Sequence, residues 1–282
     1  MKSKIIFGLL NLTAGLPLGI LYIFSDLISF VLYHVIRYRR DVVITNLTSA
    51  FPDKSQKEIK NIEKSFYRFL GDQVVETIKL LHISDSELMK RVKVVNYEAV
   101  NNDLTEGKNI VILMGHYGNW EWVQEISRYF ISSAFLSSIY HPLKNKVWDE
   151  FLIQLRRRWG AHIIPMKKAT RTLLNKDNFP WVCGFIADAR PDAKNEDHTL
   201  EFLHHKTYFI TGPEIIGHKV GAEFFYLHML RKRRGHYDII FSRINPSDQD
   251  ISFPYLRQFW REFEKTIEKA PAYWLWSHKR WK

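Results

Sequence analysis

Residues 109–124 read NIVILMGHYGNWEWVQ. The apolar run at the start of this segment predicts a buried strand, and Gly115 and Gly118 flank His116 with residues that tolerate unusual backbone angles. Asn119 fits the N-cap of a helix that starts directly after it. A strand, a tight turn and a helix start in succession are typical of an α/β fold, in which functional sites collect at the carboxyl ends of the strands.

The rest of the chain shows the same alternation of strand-like and helix-length segments. Short apolar runs broken by turn signals predict further strands at VKVV, FLSSIY, AHIIP, FPWVCGFIAD, EFFYLHML and YDIIFSRI. Helix-length stretches such as 120–130 and 145–158 separate several of these runs. This alternation predicts an α/β fold with a mostly parallel central sheet flanked by helices.

Two amphipathic patterns frame the strand region. A capping box formed by Ser55 and Glu58, followed by apolar residues at helical spacing, predicts a long helix over 55–82. An apolar stripe at the same spacing predicts a last helix near 252–269, ahead of a tail that mixes aromatic and basic residues.

The amino terminus is apolar. Residues 5–24 contain no charged residue, and a run of that length could cross a bilayer. Basic residues lie on both sides of the apolar region, so both of its ends prefer the same side of a membrane. We therefore expect residues 1–40 to form an uncleaved membrane anchor that is embedded or re-entrant. An ordinary buried helical hairpin that turns at Pro17 is the alternative.

Composition restricts the kinds of site. The 41 Lys and Arg against 30 Asp and Glu give a net charge of +11, which favours a polyanionic partner such as nucleic acid, an anionic membrane face or an acidic carrier. One cysteine, Cys183, excludes an intrachain disulfide and thiolate-based zinc sites. The sequence lacks the motifs of serine hydrolases (GxSxG), P-loop proteins (GxxxxGK[ST]), dinucleotide-binding proteins (GxGxxG) and zincins (HExxH). His204 and His205 have no third ligand at a recognisable spacing, so we expect no metal site, and no nucleic-acid motif is present.

His116 and Glu121 are the candidate catalytic pair. In one continuous helix an offset of five residues would leave the two side chains about 140° apart, but a strand, a turn and a helix start can fold the carboxylate back towards the imidazole. Glu121 would then fix the tautomer of the ring, and the other ring nitrogen could remove a proton from a substrate hydroxyl. Alternatively, Glu121 only complements the helix dipole while His116 hydrogen-bonds the core. The residues alone leave both interpretations open.

The residues of this turn resemble those of a known family. HYGNWE is similar to the H-x4-D/E block of the glycerolipid and lysophospholipid acyltransferase superfamily, and its HxGNWE form resembles the late acyltransferases of lipid A biosynthesis. Further blocks similar to the family's follow in order: YRRDVVITNLTSAFPDKS, IYHPLKN, RRRWGAHIIP, GFIADARPD, FITGPEIIGHKVGA and YWLWSHKRWK. The resemblance covers nearly the whole chain.

The resemblance implies an acyltransferase with a glycerol-phosphate-acyltransferase-like fold and no cofactor. Such an enzyme moves a fatty acyl chain from acyl carrier protein to a hydroxyl of a lipid acceptor at the inner membrane of Gram-negative cells. Its single α/β domain, on the cytoplasmic face, would span 41–282, with a helical lead-in at 55–82, a catalytic core at 92–250 and a C-terminal helix and tail at 251–282. The expected acceptor is a lipid A precursor. A lysophospholipid, an amino-acid-containing lipid, or a non-catalytic membrane-binding role are the alternatives.

Position by position, the resemblance implies His116 as general base and Glu121 as its orienting partner. The other residues that it implicates are Asn119, which would support the turn, Tyr140, Lys144 and Asn145, which would hold the acceptor headgroup, and Asp188, Thr211 and Gly212, which match positions near the site. His141 stands where the family usually has Arg, and an imidazole cannot copy the bidentate fork of a guanidinium. Arg190 is expected to supply the missing cation.

Overall fold

A seven-stranded sheet with helices on both faces forms the body of the protein. A computed structural model describes residues 2–175, 180–191, 195–248 and 251–281, with side chains from residue 7 onward. The strands are β1 (Val92–Val95), β2 (Ile110–Met114), β3 (Phe135–Tyr140), β4 (His162–Pro165), β5 (Trp181–Ile186), β6 (Thr199–Phe202), β7 (His205–Tyr208), β8 (Glu223–Arg233) and β9 (His236–Arg243). The α-helices are α1 (Lys2–Gly15), α2 (Leu18–Phe30), α3 (Arg40–Ala50), α4 (Gln56–Lys79), α5 (Asp85–Arg91), α6 (Tyr97–Thr105), α7 (Lys146–Arg157), α8 (Ala169–Leu174), α9 (Gly212–Lys219) and α10 (Pro254–Lys269).

The sheet has the order β1-β9-β8-β2-β5-β3-β4. Its neighbouring strands are parallel except for β8 and β9, which form an antiparallel hairpin. Every apolar run that predicted a strand overlaps one of these seven strands. The predicted α/β class, with a mostly parallel sheet flanked by helices, is therefore confirmed.

The central strand β2 is buried along its whole length because both faces of the sheet are covered. Val111 and Leu113 point into one core, shared with Phe259 and Phe263 of α10. The alternate residues, such as Ile112, point into a second core on the opposite face. Each buried side chain of this size stabilises the fold by about 1.5–3 kcal/mol, so the end of β2 is a rigid place from which to present a side chain.

The hairpin of β6 and β7 was not predicted. Its strands are short, and its turn places Leu203 and His204 at φ +49° and +63°. Two-residue hairpin turns of this kind normally carry Asn or Gly, so these residues give no recognisable turn signal.

The long predicted helix is α4. Its capping box forms as expected, since the Ser55 amide donates to the carboxylate of Glu58 (2.8 Å) and the Glu58 amide donates to the Ser55 hydroxyl (3.3 Å). The predicted last helix is α10. The stretch 120–130, expected to be helical from Trp120, instead forms a 3-10 helix over Trp122–Arg128.

The apolar amino terminus is not one continuous helix over 5–24. Pro17 ends α1 and begins α2, which runs on through a π-helical turn over Val31–Val35. Leu18–Val35 is long and apolar enough to cross a membrane, and it is the one such segment among the described residues. Asp26 interrupts its apolar surface and pairs there with Arg234 (2.7 Å).

α2 has two different faces. One face packs against α4 and buries Leu18, Leu21, Ser25 and Ser29. The opposite face leaves large apolar side chains exposed, namely Ile20, Ile23, Phe24, Leu27 and Phe30. A helix of a soluble protein rarely exposes so much contiguous apolar surface without a binding role.

Candidate active site

His116 lies in the tight turn that follows β2. The turn requires glycine on either side. A Cβ on Gly115 would lie 2.1 Å from the Phe263 ring, and Gly118 has φ +61° with the carbonyl of Met229 2.4 Å from where its Cβ would be. The His116 carbonyl accepts the amide of Leu275 (3.1 Å), so the C-terminal segment fixes the turn from outside.

The imidazole of His116 is held by Asp188. Its Nδ1 lies 2.7 Å from Oδ1 of Asp188, which follows the adjacent strand β5. Asp188 is 1% exposed, and its second oxygen accepts the indole N–H of Trp274 (2.9 Å). Burial alone would raise the pKa of Asp188, but the neighbouring His116 and Arg280 outweigh burial and hold the pKa well below its usual range. Asp188 is therefore ionised at neutral pH.

An ionised Asp188 fixes the orientation of the ring. Because a carboxylate only accepts hydrogen bonds, Nδ1 of His116 must carry a proton, which leaves Nε2 as the basic nitrogen when the ring is neutral. Nε2 has no hydrogen-bond partner among the described residues, and the side chain is 21% exposed. This is the arrangement expected of a general base: the carboxylate of Asp188 sets the tautomer of the ring, and Nε2 is free to accept a proton.

Glu121 does not form the expected hydrogen bond with His116. Its two oxygens accept Nε and Nη2 of Arg156 at 3.0 and 2.6 Å. The helix begins at Trp122 rather than at Trp120, and the guanidinium from α7 occupies both carboxylate oxygens. The sequence-based geometry was therefore wrong for this pair, and Asp188 takes the place beside His116.

Arg156 was not identified from the sequence. Burial would lower the pKa of its guanidinium, but the charge of Glu121 outweighs burial and raises it. The only available signal was an arginine on a predicted helix, a feature shared with its neighbours Arg157 and Arg158. The partner role of Asp188 did have a signal, because the carboxyl ends of adjacent parallel strands meet at one edge of a sheet.

Asn119 joins the His116 turn to α4. Its Oδ1 accepts the amide of Trp122 (3.2 Å), and its Nδ2 donates to Oε2 of Glu76 (2.7 Å). Glu76 is fully buried and also accepts the hydroxyls of Tyr22 (2.9 Å) and Tyr237 (2.7 Å). This network links the His116 turn to α2, α4 and β9 through one carboxylate.

A cleft of about 780 Å³ opens above His116. Four of the sequence-derived candidates line it: His116, Tyr140, Arg190 and Thr211. Its wall also contains His141, His198, His278 and the guanidinium of Arg156. Desolvation of its ring, followed by the nearby His116, lowers the pKa of His278, so this imidazole is neutral at physiological pH.

Other candidates lie outside the lining of the cleft. Asn145 is the N-cap of α7, with its Oδ1 accepting the amides of Val147 (3.0 Å) and Trp148 (3.4 Å). Lys144 is exposed in the preceding loop, and Gly212 begins α9 directly after Thr211. Of the residues predicted to hold the headgroup or to supply its cation, Tyr140 and Arg190 therefore line the cleft, whereas Lys144 and Asn145 do not.

An apolar cavity of about 70 Å³ lies next to the cleft. Its wall is formed by Met114, Trp120, Val123, Ile126, Phe130 and Leu136, among others. It shares Ile139, Arg156 and Ile186 with the cleft. A space of this size can hold only a few carbons at the end of an aliphatic chain, and the rest of such a chain would lie in the cleft.

No group of three His, Cys, Asp or Glu side chains suited to hold a metal ion occurs among the described residues. Cys183 is buried within β5, and burial raises the pKa of its thiol to about 12. A thiol with that pKa carries no significant thiolate at neutral pH, so it is not a nucleophile.

The sequence model described as bacterial lipid A biosynthesis acyltransferase matches residues 4–282. The chain is similar to the lipid A biosynthesis palmitoleoyltransferase of Escherichia coli (strain K12), with 21% identity over 288 residues that cover 98% of this chain and 89% of that protein. It is also similar to the lipid A biosynthesis acyltransferase of Shigella flexneri, with 21% identity and the same coverage. These matches confirm the resemblance noted in the sequence.

Proposed function

The chain belongs to the bacterial lipid A biosynthesis acyltransferase family, and we propose that it transfers a fatty acyl chain from an acyl thioester to a hydroxyl of a lipid A precursor, with His116 as general base. The observation that carries this proposal is the His116–Asp188 pair, at 2.7 Å, at the base of a cleft next to an apolar cavity. A thioester acyl donor and a hydroxylated acceptor need no protein nucleophile and no metal ion. The reaction requires only that the hydroxyl be deprotonated as it attacks.

The steps follow from the tautomer. Nε2 of His116 takes the proton of the acceptor hydroxyl while the hydroxyl oxygen attacks the thioester carbonyl carbon. Asp188 stabilises the imidazolium that results. Collapse of the tetrahedral intermediate breaks the carbon–sulfur bond, and the departing thiolate takes the proton from Nε2. The products are an ester and a free thiol, and His116 returns to its starting state.

Glu121 acts through Arg156 in this account. The bidentate pair holds the guanidinium at the boundary between the cleft and the apolar cavity. Arg190 also lines the cleft and has no acidic partner among the described residues. We assign Arg190 to an anionic group of the acceptor, because guanidinium binds phosphate in a bidentate fork, and Tyr140 and Thr211 to its hydroxyls.

The acyl donor is assigned to acyl carrier protein. The end of the aliphatic chain suits the apolar cavity, where contact with Val123, Ile126 and Leu136 replaces contact with water, and the rest of the chain fits the larger cleft. A net charge of +11 favours encounter with an acidic carrier. Coenzyme A carries the same thioester chemistry, so a direct comparison of the two donors decides between them.

The location is assigned to the cytoplasmic face of the inner membrane. The exposed apolar side chains of α2 form a surface that a bilayer could cover. Lys2 and Lys4 precede the apolar segment, and Arg37, Arg39 and Arg40 follow it. Positive charge on both sides favours keeping both ends in the cytoplasm.

The test is acyl transfer with purified full-length protein. Acyl carrier protein loaded with a labelled fatty acid is mixed with a lipid A precursor that has a free hydroxyl, and separately with a lysophospholipid. We expect label in the lipid A precursor. His116→Ala should lower the rate at least about 100-fold, because general-base catalysis contributes that much or more.

The matched control is His204→Asn. His204 is exposed in a hairpin turn at φ +63°, a backbone angle that Asn adopts readily, so this variant should keep the wild-type rate. A folded His116→Ala variant with the wild-type rate would falsify the mechanism. Label found only in the lysophospholipid would move the acceptor assignment to that class.

A further inference from the structure

A second cavity, a notch of about 590 Å³, lies between the end of α2 and the exposed side of α4. The residues that line it are distant in sequence from the His116 turn. Its wall combines the cations Lys64 and Arg68 with the rings of Phe30, Tyr33 and Tyr67. Lys64 and Arg68 are one helical turn apart, so their side chains extend from the same face of α4. The proposed chemistry at His116 does not use this notch.

The notch has uncompensated positive charge. Neither Lys64 nor Arg68 forms an ion pair within the part of the chain that the structure describes. Asp26 also lines the notch, and it pairs there with Arg234 (2.7 Å). Two carboxylates nearby have guanidinium partners as well: Glu63 pairs with Arg40 (2.8 Å) and Asp72 with Arg231 (2.6 Å). The tyrosine hydroxyls are also occupied, since Tyr33 donates to Glu63 and Tyr67 donates to the Tyr38 carbonyl. The two cations of the notch would therefore attract an anionic ligand.

An apolar surface adjoins the notch. Phe30, which lines it, also belongs to the exposed apolar face of α2 with Ile23 and Leu27. A ligand that satisfies both features must be anionic at one end and aliphatic at the other. A free phosphate would leave the apolar face in water, and a nucleic acid has no aliphatic part to cover it.

We propose that this notch binds the phosphate of an anionic phospholipid, with Lys64 and Arg68 on the phosphate and the lipid's acyl chains along the exposed face of α2. The inference rests on the proposed membrane contact and not on the acyl-transfer chemistry. It makes the amino-terminal region a lipid-selective site rather than a purely apolar anchor. The phospholipid is a fixed partner here and is not consumed.

Binding to vesicles tests the proposal. Full-length protein is sedimented with phosphatidylglycerol vesicles and with phosphatidylcholine vesicles, as wild type and as Lys64→Ala/Arg68→Ala. A basic residue near an anionic surface contributes roughly a fivefold gain in binding, so the double variant should bind phosphatidylglycerol about 30-fold more weakly. Its binding to phosphatidylcholine should not change. Both residues are exposed on a helix, where Ala is well tolerated.

The matched control removes the same charge from the same helix outside the notch. Lys57 and Lys60 are exposed on α4, and neither lines the cavity. Lys57→Ala/Lys60→Ala should keep phosphatidylglycerol binding within about threefold of wild type. Equal losses in the two double variants would mean diffuse surface attraction and would overturn the site.

A second measurement separates lipid from free phosphate. Short-chain phosphatidylglycerol, below the concentration at which it forms micelles, should raise the melting temperature of the wild type and not that of Lys64→Ala/Arg68→Ala. Inorganic phosphate at the same concentration should have a much smaller effect, and equal stabilisation by inorganic phosphate contradicts the lipid assignment. His116→Ala should bind both vesicle types as the wild type does, so failure of the catalytic proposal and failure of this one give different results.

Discussion

Nδ1 of His116 lies 2.7 Å from Oδ1 of Asp188, although the two residues are 72 positions apart in sequence. The contact forms because β2 and β5 are parallel neighbours, so the turns at their carboxyl ends lie side by side. Asp188 is in turn fixed by the indole of Trp274. The imidazole of His116 is thus oriented by a residue that follows another strand, and Glu121, five residues downstream, pairs with Arg156 instead.

The first prediction concerns Asp188. Asp188→Asn removes the charge that stabilises the imidazolium and allows the ring to adopt the other tautomer, so kcat should fall roughly 10³- to 10⁴-fold with little change in KM. Steady-state kinetics of acyl transfer measure this. Asp53→Asn, an exposed change in the loop before α4, should leave kcat unaltered. A variant of Asp188 within tenfold of wild-type kcat would show that the carboxylate does not support the base.

The second prediction separates Glu121 from Asp188. Because Glu121 bonds to Arg156 and not to His116, Glu121→Gln should raise KM for the acceptor and leave the shape of the pH–rate profile unchanged. Removing one member of a buried ion pair costs about 3–5 kcal/mol because the other charge is left without a partner. The companion variant Glu121→Gln/Arg156→Gln removes both charges, and we expect it to be more stable than Glu121→Gln. A shifted pH–rate profile for Glu121→Gln would place its carboxylate beside the imidazole after all.

The third prediction concerns pH and stability. Glu125 is fully buried with no hydrogen-bond partner for either carboxylate oxygen in the described structure, and burial raises its pKa to about 7. The folded protein therefore keeps this proton to a higher pH than the unfolded chain, where the pKa is about 4.5. The contribution of Glu125 to stability is full below about pH 4 and is lost as the pH rises through 7, at a cost of about 3 kcal/mol.

Urea denaturation between pH 4 and pH 8 measures this loss. Glu125→Gln should be more stable than the wild type at pH 8, and its free energy of unfolding should fall less with pH. Glu98→Gln, on the exposed side of α6, should behave as the wild type does. If Glu125→Gln is no more stable than the wild type at pH 8, the carboxylate has a partner that neutralises it.

The fourth prediction concerns the hydrogen-bond network behind the His116 turn. Oε1 of Glu76 accepts from Tyr22, and Oε2 accepts from Asn119 and Tyr237. Glu76→Gln replaces one of these oxygens by an amide group that donates hydrogen bonds, so the donors on that side are opposed whichever way the amide is oriented. We expect a loss of about 2–4 kcal/mol in the free energy of unfolding and a lower kcat, because Asn119 caps the segment that follows His116. Tyr22→Phe removes a single hydrogen bond and should cost about 1 kcal/mol. A wild-type kcat in a destabilised Glu76→Gln would limit this network to a structural role.

Much of the fold was readable from local patterns. The capping box at Ser55 and Glu58, and the alternation of apolar runs with helix-length stretches, reported α4 and the parallel sheet because those signals depend on short-range sequence. The β6–β7 hairpin was missed because Leu203 and His204 occupy a turn without its usual residues. The break at Pro17 was visible, but the partner of Asp26 was not, because Arg234 is 208 residues away.

The site was readable only in part for the same reason. His116 and its glycines are local to one turn, and the close approach of Phe263 explains one of those glycines only after folding. The choice between Asp188 and Glu121 as the partner of His116 depends on where α7 places Arg156, since that guanidinium takes both oxygens of Glu121. The spacing of residues along the chain cannot predict a hydrogen-bond partner that comes from a different helix.

The most direct test of the account is the protonation state of the His116 ring, measured by two-dimensional nitrogen–proton NMR on protein with labelled histidine, with His116→Ala used to assign the signals. The account predicts that, in the neutral ring, the proton is on Nδ1 and Nε2 is bare, and that Asp188→Asn disturbs this state while Glu121→Gln leaves it intact. A neutral ring protonated on Nε2 in the wild type would contradict the account, because that nitrogen could not then accept the proton of the acceptor hydroxyl.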